Sequence, residues 1–217
     1  MINVKLSLRL QAVASFVPQN AVLFDVGTDH AYLPCALLQK NIIKKAYAGD
    51  KREGPLRIAA KSVMSYGLTE RVTLILGDGI EKIAPDVDCI VIAGMGYDNV
   101  IAILDKKDLS PYHTIILQVN RKPEHLRAWI AKKGYAIQAE KLVKEEHHYY
   151  EIVVISANKQ QQYSRQEIVL GPCLLQEKSP TLRQYWRLRQ EEWQRIDAAS
   201  KRKDHAWIIE YINSLLE

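Results

Sequence analysis

The chain has 217 residues, 47% hydrophobic and 25% charged, with a formal net charge of +5; it can bury a sizeable core, and this excludes a disordered or low-complexity polymer. No run of about 18 apolar residues occurs, and the opening MINVKLSLRL lacks the apolar stretch of a signal peptide, so a soluble, cytoplasmic protein without a membrane partner is expected. Residues 1–158 carry 20 basic against 17 acidic side chains and residues 159–217 carry 10 against 8, a spread-out basicity that permits a polyanionic partner without requiring one.

A leading helix is expected over 5–15, where apolar residues stand at 6, 8, 10, 12, 13 and 16. Strand patterns at 22–26, 45–49, 72–76, 89–93 and 114–119 then alternate with helical patterns at 32–40, 55–66, 97–104 and 123–132. Such alternation reads as βαβ units and a mostly parallel sheet. After KKGY, the segment AIQAEKLVKEEHHYYEIVVISA reads as two strands joined by a charged turn, adjacent and therefore antiparallel, closing the sheet edge.

The polar stretch NKQQQYSRQE, 158–167, has no apolar stripe and marks a boundary between a domain at 1–158 and an extension at 159–217. In the extension, 181–200 places Leu182, Trp186, Arg189, Trp193 and Ile196 at steps of three and four, and 206–216 does the same with Ile208, Tyr211, Ile212 and Leu215. The expected fold is therefore an α/β, Rossmann-like methyltransferase sheet with an antiparallel C-terminal hairpin, plus a small α-helical, coiled-coil-like C-terminal domain. Plain dinucleotide dehydrogenases usually lack that closing hairpin.

The chemistry concentrates at strand ends. AVLFDVG brings Asp25 and Gly27 to a βα turn that continues Thr28-Asp29-His30 where a dinucleotide site would continue GxGxxG. A carboxylate there would repel a pyrophosphate, so the turn argues against a nicotinamide dinucleotide. S-adenosylmethionine, with an ammonium and a sulfonium, fits instead. Asp50, 25 residues on, stands where an acid bridges ribose hydroxyls, and Asp78 in LILGDG stands where an acid or nearby amides hold an adenine edge. Each acid alone is equally well a turn former or helix cap; three at the ends of successive strands carry the reading. Gly94 and Gly96 allow close backbone approach, Met95 offers a soft apolar wall, and Gln118, Asn120 and Arg121 bring amides suited to a base edge and a cation suited to a phosphate. Cys35, Cys89 and Cys173 form no CxxC pair and read as buried thiols. His147 and His148 are adjacent on a strand and point to opposite faces, so no metal site is expected.

In this order, DVGTDHAYLP, EGPLRIAAKSV, LGDGI, IAGMG and IILQVNR followed by LRAWI resemble the bacterial tRNA (adenine-22, N1)-methyltransferase family, class I S-adenosylmethionine-dependent enzymes with a coiled-coil C-terminal extension. The likeness covers about residues 1–155 by motif and, more loosely, the tail through LGPCLLQEKSP. It implies S-adenosylmethionine as cofactor, with contacts at Asp25, Gly27, Asp50, Asp78, Gly79, Ala93, Gly94, Met95 and Gly96, and tRNA as partner of a monomer or weak dimer. It also implies that Asp29, His30 and Tyr32 face the target base; Asn120, at the rim after the fifth strand, is counted with them as a catalytic candidate from its position. The chain departs from the family pattern at Lys51-Arg52, where a hydrophobic or acidic residue is usual, at Tyr97, where a glycine is usual, and at LQVN in place of LQPN. Lys51 still joins the cofactor set by its place after Asp50, and Tyr97, with Arg121, falls at the expected entrance for the substrate base.

The expected reaction is in-line attack of the N1 lone pair of a neutral adenine on the sulfonium methyl, with the base drawn out of its stack onto Tyr32 or Tyr97. Asp29 would accept from the exocyclic amine, and His30 would either assist proton transfer or be structural. Arg183 and Arg187, with Arg189, Arg195, Lys201, Arg202 and Lys203, offer a phosphate-tracking surface or an ordinary solvated face. Other readings are a methyltransferase acting on another RNA, a small molecule or a protein, and a noncatalytic RNA-binding protein of this fold; a nicotinamide enzyme ranks third.

Overall fold

Short runs rich in valine, isoleucine and leucine become strands when helices cover both faces of a sheet. In the computed structural model, which describes residues 3–200 and 202–217, these are β1 (Val22–Val26), β2 (Lys45–Asp50), β3 (Val72–Leu76), β4 (Cys89–Met95) and β5 (Thr114–Val119). All pair in parallel. β6 (Tyr135–Glu145) and β7 (His148–Gln160) pair antiparallel, and β7 runs antiparallel to β5. The order is β3-β2-β1-β4-β5-β7-β6, the expected Rossmann-like methyltransferase sheet. It reverses direction of growth between β1 and β4, which opens a crevice at the carboxyl ends of the strands.

The helices are α1 (Leu8–Ala14), α2 (Tyr32–Gln39), α3 (Glu53–Ser65), α4 (Tyr97–Leu104), α5 (Pro123–Lys133), α6 (Arg165–Leu170), α7 (Pro180–Ala199) and α8 (Ala206–Leu216). Alternate residues of β1 feed two cores: Leu23 packs with Val13, Leu37, Leu38 and Ala59 on one face, and Phe24 with Ile92, Leu104 and Ile130 on the other. Among the described residues, no helix is long and apolar enough to cross a membrane.

Several boundaries differ from expectation for local reasons. α1 starts at Leu8, not at 5, because Ser7 is extended and its hydroxyl accepts from Leu10 N at 3.3 Å; Val4 and Leu6 still pack on the core as extended chain. β4 runs two residues past Ala93, to Met95, by way of a bulge between them. The polar stretch 158–167 is also more structured than expected. β7 reaches Gln160, and α6 begins at Arg165 behind a capping box in which Ser164 and Glu167 each accept from the other's backbone N–H.

In the tail, α7 and α8 run antiparallel around Leu182, Trp186, Trp193, Ile208 and Ile212. Polar contacts repeat the register: Arg183 donates to the Leu216 carbonyl, Gln190 to Ile209 O at 2.9 Å and Asn213 Oδ1 at 2.7 Å, and His205 Nδ1 lies 2.7 Å from Asp197.

Sheet and tail meet at a buried charge cluster. Arg127 of α5 is fully buried; its Nε donates to Glu140 of β6 at 2.6 Å and its Nη2 donates to Glu151 of β7. Glu151 also accepts from the Tyr185 hydroxyl of α7 at 2.5 Å, and Glu140 from Cys173 N at 2.8 Å. Burial pushes the Glu140 carboxyl above its ordinary range, against the pull of Arg127. The chain passes this cluster at Gly171 with φ +92°, where a Cβ would stand 2.7 Å from Glu140 Oε2 and 2.8 Å from Arg127 Nη2.

Gly171→Ala must therefore both strain the backbone and push apart a buried ion pair, whose disruption costs about 3–5 kcal/mol. Gly134→Ala, at φ +74° with nothing within 4 Å of the added Cβ, carries only the left-handed penalty of roughly 1–2 kcal/mol. Urea unfolding of the two variants should show the first loss exceeding the second by at least about 2 kcal/mol; equal losses would remove the cluster from its role at the joint.

Candidate active site

The turn after β1 is shaped by Gly27, at φ +75°, whose N–H donates to Gly49 O at 2.8 Å while Thr28 N donates to the same oxygen at 2.9 Å. This ties the ends of β1 and β2 together. A Cβ on Gly27 would lie 1.9 Å from Met95 Cε, the flexible end of that side chain, so a substitution is resisted by the φ of +75° and by the need for Met95 to swing aside.

Asp25 lies beneath the turn, buried. Burial raises its carboxyl from 3.8 to about 6, while the Thr28 hydroxyl and then the Arg9 charge act in the opposite sense. From α2, the buried Cys35 thiol is pushed up by its own burial and by the Asp25 charge. The buried Asp50 carboxylate accepts from Arg52 N at 2.8 Å. Asp78 accepts from Lys106, just past the end of α4, and this hydrogen bond holds the Asp78 carboxyl below its usual range; the same ammonium also reaches Glu81 at 2.8 Å.

Gly27, Asp50, Lys51, Asp78, Gly79 and Met95 line one cleft of about 380 Å³, within the range of small-molecule sites. Val26, Gly49 and Arg52 complete the strand-end side, and the opposite wall comes from Asn99, Ala102, Ile103 and Lys106 on and just after α4, residues that a search of strand ends passes over. Asp25, Ala93, Gly94 and Gly96 lie outside that lining: Asp25 beneath the turn, the other three along the β4 lip. Two strand-end carboxylates inside the cleft, with Asp25 buried beside it, suit a ligand bearing cationic groups and vicinal hydroxyls, while Lys51, Arg52 and Lys106 in the same lining balance their charge. The donor set thus fits the methyl donor expected from sequence.

Beside the cleft, the loop from β1 to α2 builds a second group. Asp29 is 70% exposed at its side chain, and its Oδ2 lies 3.3 Å from His30 Nε2. The His30 ring stacks on Tyr32, with centroids 4.9 Å apart and planes 12° apart. The loop reaches this arrangement through Ala31 in the left-handed region, φ 54°, a conformation that a non-glycine residue adopts at a cost of order 1–3 kcal/mol. One face of Tyr32 is therefore already covered by imidazole, so an incoming base takes the other face or displaces His30.

The β4–β5 lip is held by amides. Gln118, fully buried, accepts from Gly94 N at 3.0 Å and from Arg9 Nη1 at 2.8 Å, and donates to Asn120 Oδ1 at 3.2 Å. Asn120 donates from Nδ2 to Gly94 O at 2.9 Å and from its backbone to Met95 O at 2.9 Å. Half of the Asn120 side-chain hydrogen-bonding capacity thus goes into fixing the bulged lip. Tyr97 stands edge-on to His125, with centroids 5.6 Å apart, and Arg121 is exposed.

The tail arginines do not join this rim. Arg183 is engaged with the end of α8, Arg189 pairs with Glu124 and Glu192, Arg195 donates to Glu191 O, and Arg187, Arg202 and Lys203 are exposed. Lys201 lies outside the described residues. Sequence reading missed Arg9, which leaves α1 to reach the lip; in LSLRLQAV it looks like part of a solvent-facing stripe.

A family model described as TrmK: tRNA (adenine(22)-N(1))-methyltransferase matches residues 23–216. A Bacillus subtilis (strain 168) protein named tRNA (adenine(22)-N(1))-methyltransferase is 39% identical over 148 residues, 67% of this chain; the match spans 62% of that relative's length. Streptococcus pneumoniae Sp1610, solved in complex with S-adenosyl-L-methionine, is 36% identical with a TM-score of 0.89 over 98% of this chain and 100% of that one. M. capricolum TrmK, solved with S-adenosyl-homocysteine, is 30% identical with a TM-score of 0.81 over 97% and 94%.

Asp25 sets a stability test independent of any ligand. Its folded-state value of about 6 exceeds the ordinary 3.8, so its proton is held more tightly in the fold; the contribution of this group to stability is fully present below about pH 4 and is lost as pH rises through about 6. Asp25→Asn should therefore raise unfolding stability at pH 8, by on the order of 1–3 kcal/mol, with the gain vanishing near pH 4. A destabilised variant at pH 8 would show that the carboxylate is there to hold the fold.

Proposed function

Because the chain belongs to the tRNA (adenine(22)-N(1))-methyltransferase family, we propose that it transfers the methyl group of S-adenosylmethionine to N1 of adenine 22 in tRNA. The observation that carries this reading is the clustering of Asp50, Asp78, Gly27 and Met95 around one cleft, with the buried Asp25 beside it and the Asp29–His30–Tyr32 group, outside the lining, on the loop that leaves Gly27.

When bound, S-adenosylmethionine supplies a methyl group made electrophilic by a sulfonium. Asp25 offers the amino-acid end an anion whose burial makes its attraction for an ammonium strong. Asp50 turns its carboxylate toward the ribose position, and Asp78 marks the adenine end, next to Gly79 and Lys51. The Ala93–Gly96 strip forms the lip across which donor and acceptor face one another. Its bulge is clamped by Gln118 and Asn120, which hold the Gly94 backbone from both sides.

Neutral adenine N1 carries its own lone pair, so the acceptor needs no base before attack. What the protein must do is orient N1, exclude water and stabilise the charge that develops on the ring; positioning of this kind is worth about 7–11 kcal/mol in favourable cases. Asp29 accepts from the exocyclic amine, which aims N1 and favours the positive ring. His30, held between Asp29 and Tyr32, keeps the carboxylate and the stacking surface in register. Tyr97 and Arg121 flank the entry for the nucleotide and its phosphate.

We assign the methyltransferase activity to residues 1–158 and a tRNA-tracking role to the helical extension 159–217, in which Arg187, Arg202 and Lys203 are among the exposed cations. Arg183 serves the α7–α8 hairpin instead.

Incubation with unmodified tRNA and labelled S-adenosylmethionine, followed by mapping of reverse-transcription stops, should place a single new stop at adenine 22. Asp29→Ala should keep donor affinity within a few fold and lower methyl transfer on the order of a hundredfold. Methyl transfer at another site would redirect the substrate assignment, and unchanged turnover in the variant would take Asp29 out of the mechanism.

A further inference from the structure

Past the clamped lip, the chain enters α4 and, after β5, α5, and a side chain from each helix meets the other. Tyr97 opens α4 directly after Gly96 and is half-buried against the core that contains Val100 and Leu126. His125, in the first turn of α5, is exposed, and the two rings stand edge to face with centroids 5.6 Å apart and planes 86° apart. Whichever ring supplies the edge, His125 keeps at least one face uncovered by Tyr97. Space lies open beside the pair: a Cβ added to Gly96 would meet nothing within 4 Å.

Charge at this corner comes from the turn between β5 and α5. Arg121 and Lys122 are both exposed, and among the described residues neither forms an ion pair. Lys122 is held in the left-handed region, φ 61°, and its carbonyl accepts from His125 N at 3.0 Å. This fixes the start of α5, and with it His125, relative to Asn120 at the lip. Of the carboxylates in the first turns of α4 and α5, Glu124 is taken up by Arg189 of α7 at 3.1 Å, and only Asp98 stands exposed against the two cations.

An aromatic wall rimmed by cations holds a single-stranded nucleotide, because the base stacks while the phosphate meets the charge. β4 stands between β1 and β5 in the sheet, so the lip separates this corner from the Asp29–His30–Tyr32 loop that serves the target base. We propose that Tyr97 and His125 stack the nucleotide next to the target adenosine, with Arg121 and Lys122 on its phosphate. The inference rests on the adenine-N1 reading of the site and narrows it: the acceptor must be an adenosine within a strand, gripped through its neighbour. Because a glycine is usual at position 97 in the family pattern, the Tyr97 ring is an addition of this chain and no part of the shared donor cleft.

The test crosses protein variants with altered RNA. Methyl transfer to intact tRNA is compared with transfer to the same tRNA carrying one abasic residue immediately before or immediately after the target adenosine. The proteins are wild type, His125→Ala, His125→Phe and Tyr97→Gly, with donor affinity by calorimetry and thermal unfolding followed in parallel. In wild type, one of the two abasic substrates should lose about five- to hundredfold in kcat/KM, the range of one base–aromatic stack. His125→Ala and Tyr97→Gly should lose part or all of that factor on intact tRNA and correspondingly less on that abasic substrate, while His125→Phe keeps most of the activity and donor affinity stays unchanged throughout. Arg121→Ala and Lys122→Ala should each lower the slope of log Kd for tRNA against log salt by about one. Equal losses on intact and abasic RNA would make the pair a support of the lip or a platform for the target base and overturn the proposal. Abasic substrates that wild type uses as well as intact tRNA would overturn it too, and unchanged salt slopes would overturn its phosphate contact. Wild type that methylates adenine N1 in none of these RNAs would sink the functional reading and this proposal with it, an outcome distinct from a failure at this corner alone.

Discussion

A carboxylate withheld from water at the end of β1 is the constraint around which the rim is arranged. Burial lifts Asp25 to about 6, so near neutral pH the fold carries an ionised group it would rather protonate. Such a group is tolerated where a cationic ligand meets it, and strongly perturbed acids gather at functional sites for that reason. The neighbouring features follow from the same need. Gly27 lets the backbone fold tightly above the acid, Met95 closes against that glycine, and Gln118 and Asn120 hold the bulged lip that faces it. The low dielectric that makes Asp25 costly also strengthens its attraction for an ammonium.

The second buried charge group has a different task. Arg127, Glu140, Glu151 and Tyr185 bring α5, the closing hairpin and α7 to one point. A buried ion pair is weak evidence for net stability but is sensitive to geometry, so the cluster sets how the helical extension sits on the sheet. Gly171 is the residue that lets the chain pass over it. With the extension bound through an edge hairpin and the rim built from the parallel strands, the donor cleft and the exposed cations of the tail are supported by separate contacts.

Much of this was legible in the sequence because it is local. β1, β3 and β5 have the expected limits, since each is a short run of branched apolar residues ended by glycine or a polar residue. The strand-end acids followed from those limits. α1 was set three residues too early because Leu6 continues the apolar stripe while packing, like Val4, as extended chain. α6 went unrecognised although SRQE spells out its capping box. What leaves no local trace was missed. Arg9 travels from the first helix to the fifth strand, Arg127 finds its partners 13 and 24 residues away, and Arg183 turns to the end of α8. In each case the residue type was visible and its partner was not.

The most direct measurement is the affinity of wild type for S-adenosylmethionine as a function of pH. If the buried Asp25 carboxylate must be ionised to receive the donor, a value of about 6 in the free protein makes the Kd rise about tenfold from pH 7 to pH 5, with one proton released per donor bound at pH 5. Binding that stays flat between pH 5 and pH 8, with no proton released, would contradict the account.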